Sequence, residues 1–216
     1  MKKLLAVAVM SLGLVSLAQA APKGDAAAGE AKAASCAACH GPAGVGGGVN
    51  PALAGQGAKY TAKQLHDFKS GRRVNGIMQG MAMGLSDQDI ADIAAYYAEQ
   101  KAGVGQAKPE LAKLGEKLFR GGNSKTGLAA CSGCHNPAGK GNPLAAYPRL
   151  GGQHADYTKA QLRAFRAAGR GDHVDDGQKR GNDAAKAGEH GPMQMIAAKL
   201  SDDEIEALAS FISGLY

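Results

Sequence analysis

Apolar side chains recur at helical spacing along the chain, and they do so in matched pairs. Behind Ser86, the residues Ile90, Ile93, Ala94 and Tyr97 form one apolar stripe; behind Ser201, Ile205, Leu208, Ala209 and Ile212 form another. Each serine is followed three positions on by a carboxylate, Asp89 or Glu204, at the spacing of a capping box, which predicts where both helices start. A second pair of helices is predicted near Lys59 to Ser70 and near Asp156 to Ala168. A third pair opens the two halves: Asp25 to about Ala34, with Asp25 as its cap, and Pro109 to about Arg120, with Pro109 in its first turn. No run alternates in the manner of a strand. The pattern predicts an all-α chain with three helices and long loops in each half.

The pairing extends to the loops and marks an internal duplication. At an offset of 95 residues, Pro42-Ala43-Gly44 recurs as Pro137-Ala138-Gly139. After two extra residues, Leu53-Ala54-Gly55-Gln56 recurs as Leu150-Gly151-Gly152-Gln153, and Tyr60, Gln64, Leu65 and Phe68 recur as Tyr157, Gln161, Leu162 and Phe165. One asymmetry stands out. Phe68 to Met78 spans 10 residues, whereas Phe165 to Met193 spans 28, and the insertion, rich in Gly, Asp and Lys, is expected to be a solvated loop. The stretch 100–108 is the expected linker, giving domains over 21–103 and 104–216.

Composition adds a constraint. The chain has no Trp, four Phe and 32 Gly in 216 residues, so two small domains lack the large side chains to fill two cores. Short helices packed around a large flat apolar cofactor answer that shortage. The N-terminus, with Lys2-Lys3, an apolar run from Leu4 to Leu17 and Ala18-Gln19-Ala20, has the form of a secretory signal peptide cleaved after Ala20. Its apolar run falls short of the roughly 20 residues of a spanning helix. Residues 21–104 carry 8 basic and 7 acidic side chains and residues 105–216 carry 15 and 12, with no dense basic stripe, which argues against a nucleic-acid partner. The mild surplus suits docking to an acidic partner or an anionic membrane surface, and equally a plain solvated surface.

All four cysteines lie in two copies of one pentapeptide, Cys36-Ala37-Ala38-Cys39-His40 and Cys131-Ser132-Gly133-Cys134-His135. Two thiols three positions apart can each add to a vinyl group of one haem, and the adjacent histidine can reach the iron. Two disulfides would use the cysteines without needing the histidine after each pair, and a zinc half-site would suit a lone motif better than two copies with no cysteine left over. The repeated pentapeptide therefore predicts two covalently bound haem c groups, with His40 and His135 as axial ligands. Pro51 and Pro148 match in the repeat and have carbonyls to receive the second imidazole N–H, or simply stiffen their loops.

A second axial ligand decides between electron transfer and catalysis. Counting eight residues back from the capping serines gives Met78 and Met193, the Met pair in register, and these are the expected sixth ligands. Met81, Met83 and Met195 suit gap-filling in a core. His66 is expected on the surface, and His154 near a haem edge or in water. His173 and His190, on the insertion, offer a bis-His alternative at the second iron. Counting on from Phe68 and Phe165 pairs Arg73 with Arg170, which would either face haem propionates or be solvated.

Together the two C-x-x-C-H motifs, the Leu-x-Gly-Gln segments followed by Tyr-x-x-x-Gln-Leu, the Met eight residues before each Leu-Ser helix start, Phe119-Arg120-Gly121-Gly122 and the ending Ile212-Ser213-Gly214-Leu215 resemble the bacterial dihaem cytochrome c4 family. The resemblance covers essentially the whole chain after residue 20. It implies two tandem class I cytochrome c domains related by a pseudo-twofold axis in a periplasmic, often membrane-associated electron carrier. Such a protein takes electrons from a redox protein donor and passes them toward a terminal oxidase. The alternative is a dihaem enzyme, a peroxidase or a sulfur-compound dehydrogenase, with one open iron.

Overall fold

In the computed structural model, residues 22–186 and 188–216 are described. The expected signal peptide, residues 1–20, lies outside them. The first half contains α1 (Ala26–Lys32), α2 (Ala37–His40), α3 (Ala58–Lys69), α4 (Gly76–Met83) and α5 (Asp87–Glu99). The second contains α6 (Pro109–Gly121), α7 (Ser132–His135), α8 (Ala155–Arg170), α9 (Pro192–Ala197) and α10 (Asp202–Ser213). Among the described residues the only β-type pairings are three isolated bridges in loops. The all-α expectation therefore holds, and the helix starts follow the predicted caps. Asp25 accepts from the backbone N–H of Ala27 and Ala28, and Ser86–Asp89 and Ser201–Glu204 each close a reciprocal capping box.

Two helices per half escape the periodicity. α4, Gly-Ile-Met-Gln-Gly-Met-Ala-Met, is apolar on every side and broken by two glycines, so it carries no stripe. α2 and α7 are single turns built on the C-x-x-C-H motifs, too short to show a period.

In each half the first helix crosses the last, α1 on α5 and α6 on α10, at a glycine. A Cβ on Gly29 would lie 2.1 Å from the carbonyl oxygen of Asp92, and one on Gly115 would lie 2.3 Å from that of Ala207 and 2.5 Å from Cβ of Phe211. Only a residue without a side chain allows the backbones this close. Behind the second crossing lies a core of Phe119, Phe165, Leu200, Ile205, Leu208 and Ile212; the first half buries a smaller cluster of Ala33, Ile93 and Tyr97. The first half adds a polar tie. Asp92, 2% exposed, accepts from Lys32 Nζ at 2.6 Å, from the backbone N–H of Asp25 at 2.8 Å and from Gln88.

The halves dock through reciprocal contacts. Gln56 donates to the carbonyl of Arg149 (3.0 Å) and accepts from its N–H (2.8 Å); Gln153 does the same to Ala52 (3.0 and 2.9 Å). Each amide thus satisfies one residue's backbone pair in the other half, related by a pseudo-twofold axis. None of the described helices is long and apolar enough to cross a membrane.

Two outcomes follow from this packing. Gly115→Ala should cost about 1–3 kcal/mol, seen as a melting temperature lower by about 4–8 °C per kcal/mol for a domain of this size. Lys32, the backbone of Asp25 and Gln88 hold the Asp92 carboxyl below its usual value. Its contribution is therefore full above the ordinary carboxylate range near pH 4 and is lost as pH falls through the depressed folded value. Asp92→Asn should flatten the acid limb of the first half's stability, measured as melting temperature against pH.

Candidate functional site

The chemistry-bearing turns are built alike in both halves. Cys36 ends a short 3-10 turn and α2 carries Cys39 and His40; Cys131 caps α7, which carries Cys134 and His135. Helical spacing puts thiols three positions apart on one face. Cys39 and Cys134 are exposed, Cys36 and Cys131 half-buried, and all four are free of disulfides. The histidines, one position further on, are buried, at 7% and 6% exposure. Immediately after each histidine the chain reverses through a positive φ, 70° at Gly41 and 73° at Asn136. Asn136 is held there by accepting from the N–H of Ala138 at 2.9 Å.

The reversal brings a proline carbonyl onto each imidazole. His40 Nδ1 lies 3.0 Å from the oxygen of Pro51, and His135 Nδ1 lies 3.0 Å from that of Pro148. A carbonyl only accepts, so Nδ1 carries the proton and Nε2 keeps its lone pair. Among the described residues no hydrogen bond engages either Nε2. Burial also pushes the pKa of His135 down against the opposing pull of the Pro148 carbonyl, which favours the neutral, ligating form.

Met78 and Met193 sit at matching places near the starts of α4 and α9. Each backbone N–H is capped by a side chain: Asn75 Oδ1 at 2.9 Å for Met78, Asp183 Oδ2 at 2.5 Å for Met193. Both methionines are half-buried, and Met193 packs on the second core. The other three are not gap-fillers. Met81, Met83 and Met195 are 44%, 56% and 55% exposed.

The insertion departs most from expectation. It is no solvated loop at its centre: Arg180 and Asn182 are 6% and 3% exposed. They lie against the first half, where Lys63 reaches the carbonyl of Asn182 (2.6 Å), Arg72 that of Ala184 (3.1 Å), and Asp67 accepts from Asn182 Nδ2 (2.6 Å). Arg73 has a counterpart here, and it is Arg180 rather than Arg170. The N–H of Arg73 bonds the carbonyl of Asp67 and that of Arg180 the carbonyl of Ala164, the residues immediately before Phe68 and Phe165 respectively. The guanidiniums then lie over those two rings at 4.6 and 4.5 Å. Arg170 instead donates to the carbonyls of Ala198 and Leu200 at the end of α9. His66 is on the surface beside Asp87, His173 and His190 are exposed, and His154 bonds the carbonyl of Val45 across the halves.

A family model described as cytochrome c matches the chain twice, over residues 26–101 and 105–215. Cytochrome c4 of Pseudomonas aeruginosa is 50% identical to it over the whole of both chains. The chain belongs to the cytochrome c4 family. The crystal structure of reduced recombinant cytochrome c4 from Pseudomonas stutzeri superposes with a TM-score of 0.80 at 50% identity, covering 89% of this chain and all of that one. A more distant relative, named thiosulfate dehydrogenase electron acceptor, from Thiomonas intermedia, is 35% identical over 99% of this chain and 91% of its own. The cytochrome c4 relationship gives two covalent haem c groups, at the C-x-x-C-H sites of Cys36/Cys39 and Cys131/Cys134, in an electron-transfer protein. The residues fit that cofactor. Each half presents an exposed thiol, a half-buried thiol and a proton-defined imidazole on one turn. In the first half, Thr61 also buries a hydroxyl with no protein partner, on the face of α3 that holds Gln64 and Phe68.

Proposed function

We propose that the chain is exported to the periplasm, cleaved after Ala20 and folded as domains over 21–103 and 104–216, where it relays electrons from a redox protein donor toward a terminal oxidase. Haem c supplies a one-electron ferric/ferrous couple when bound. In this reading Cys36, Cys39, Cys131 and Cys134 hold the two groups, and His40 with Met78 and His135 with Met193 close both axial positions.

The observation that carries the proposal is the duplicated support of both ligand pairs. Each histidine is oriented by a proline carbonyl, and each methionine's backbone is capped by a side chain, in both halves alike. A dihaem enzyme needs one half left open, and neither half lacks a part. The thioether is soft and neutral and favours the reduced iron, and each imidazole turns its Nδ1 proton to a proline carbonyl and keeps Nε2 for the iron. The acceptor role in the name of the Thiomonas relative supports a dehydrogenase as one class of donor.

Met78→Ala and Met193→Ala should each remove the near-infrared band of methionine-to-ferric-iron ligation at one haem and leave the other. Persistence of both bands in either variant contradicts the ligand assignment. The reduced wild-type protein should bind carbon monoxide slowly, and rapid binding would favour an open, enzyme-like haem. Oxygen uptake by oxidase-containing membranes should depend on adding the reduced protein; uptake that is indifferent to it removes the oxidase as acceptor.

A further inference from the structure

At the junction of the halves two guanidiniums share the same two amide oxygens. Gln64 Oε1 accepts from Arg73 (2.9 Å) and Arg180 (3.0 Å), and Gln161 Oε1 accepts from Arg73 (2.8 Å) and Arg180 (2.8 Å). Arg73 also donates to Tyr157 and Arg180 to Tyr60, each 2.9 or 2.8 Å away in the opposite half. All these partners are neutral. Among the described residues no carboxylate forms an ion pair with either arginine. The nearest acidic groups are already engaged, Asp67 by Lys63 and Asn182, and Asp183 by the backbone of Met193 and by Gln194.

Two cations held this close, one of them 6% exposed, repel each other and need an anion nearby. Haem c brings carboxylates, whereas the protein carboxylate that Arg180 feels, Asp183, is bonded to other groups. Burial alone would raise the pKa of Tyr157, yet the two guanidiniums hold it below a tyrosine's usual value. The cationic field is therefore felt at a tyrosine of the second half, part of it from an arginine of the first.

We propose that Arg73 and Arg180 act as one shared dication, positioning residues that set the reduction potentials of both haems together. Each guanidinium bonds side chains of both halves, and on this proposal a change at either is read at both centres. Positive charge opposes the extra charge of the ferric state, and the pair therefore raises both potentials. The inserted segment of the second half is what makes this possible, because it carries Arg180 into contact with Tyr60 and Gln64 of the first.

The test is a redox titration of the full-length, haem-loaded protein followed in its visible spectrum. Arg73→Gln and Arg180→Gln should each lower both midpoints, with a several-fold change in both reduction equilibria. Arg73→Lys and Arg180→Lys, which keep the charge, should move both midpoints less. Gln161→Glu tests the same idea with the arginines in place: a carboxylate between the two guanidiniums neutralises part of their charge, and both midpoints should again fall. It also serves if a glutamine variant fails to load haem. A shift confined to one midpoint, no shift, or equal shifts in the lysine and glutamine variants would overturn the proposal.

Discussion

An imidazole gives a metal its lone pair from one nitrogen only while the other nitrogen keeps its proton. Everything near His40 and His135 serves that condition. The chain must double back to place a carbonyl at Nδ1, 11 positions on in one half and 13 in the other, and in both it does so through a positive-φ residue and a loop ending in proline. Proline suits the position because its carbonyl is free to accept while it has no N–H to satisfy. Burial then makes the bond hard to exchange for water, and the orientation of each ring is fixed before any cofactor chemistry begins.

Features encoded locally were legible in the sequence. Asp25, Ser86 and Ser201 cap the helices they were expected to cap, and the repeat matched Pro51 with Pro148, whose carbonyls the two histidines meet. What escaped depends on distant partners or lacks a period. α4 has no polar face to define a stripe. Counting along the chain paired Arg73 with Arg170, because the insertion begins just there and displaces the true counterpart to position 180. Nothing within the insertion distinguishes Arg180 and Asn182 from solvated residues. Their burial comes from Tyr60, Gln64 and Asp67, more than a hundred positions away in the chain.

The cores divide along the same line. Ile90, Ile93 and Tyr97, and Ile205, Leu208 and Ile212, are buried as their stripes predict. The glycines at the helix crossings were invisible, since Gly29 and Gly115 look like interruptions in helix-forming sequence. Their value lies in what the opposing backbone occupies, and no local pattern contains that information.

The reciprocal grip of Gln56 and Gln153 has the form of an isologous interface, in which one patch meets its own copy across a twofold axis. Two identical subunits would meet through the same contact about such an axis. Joining them through the linker changes what the surface can become. Identical subunits must accept every alteration twice, so the segment bearing Arg180 and Asn182 would arrive from both sides of one axis. In a single chain it arrives once, and the halves are free to diverge while the contact between them stays symmetric.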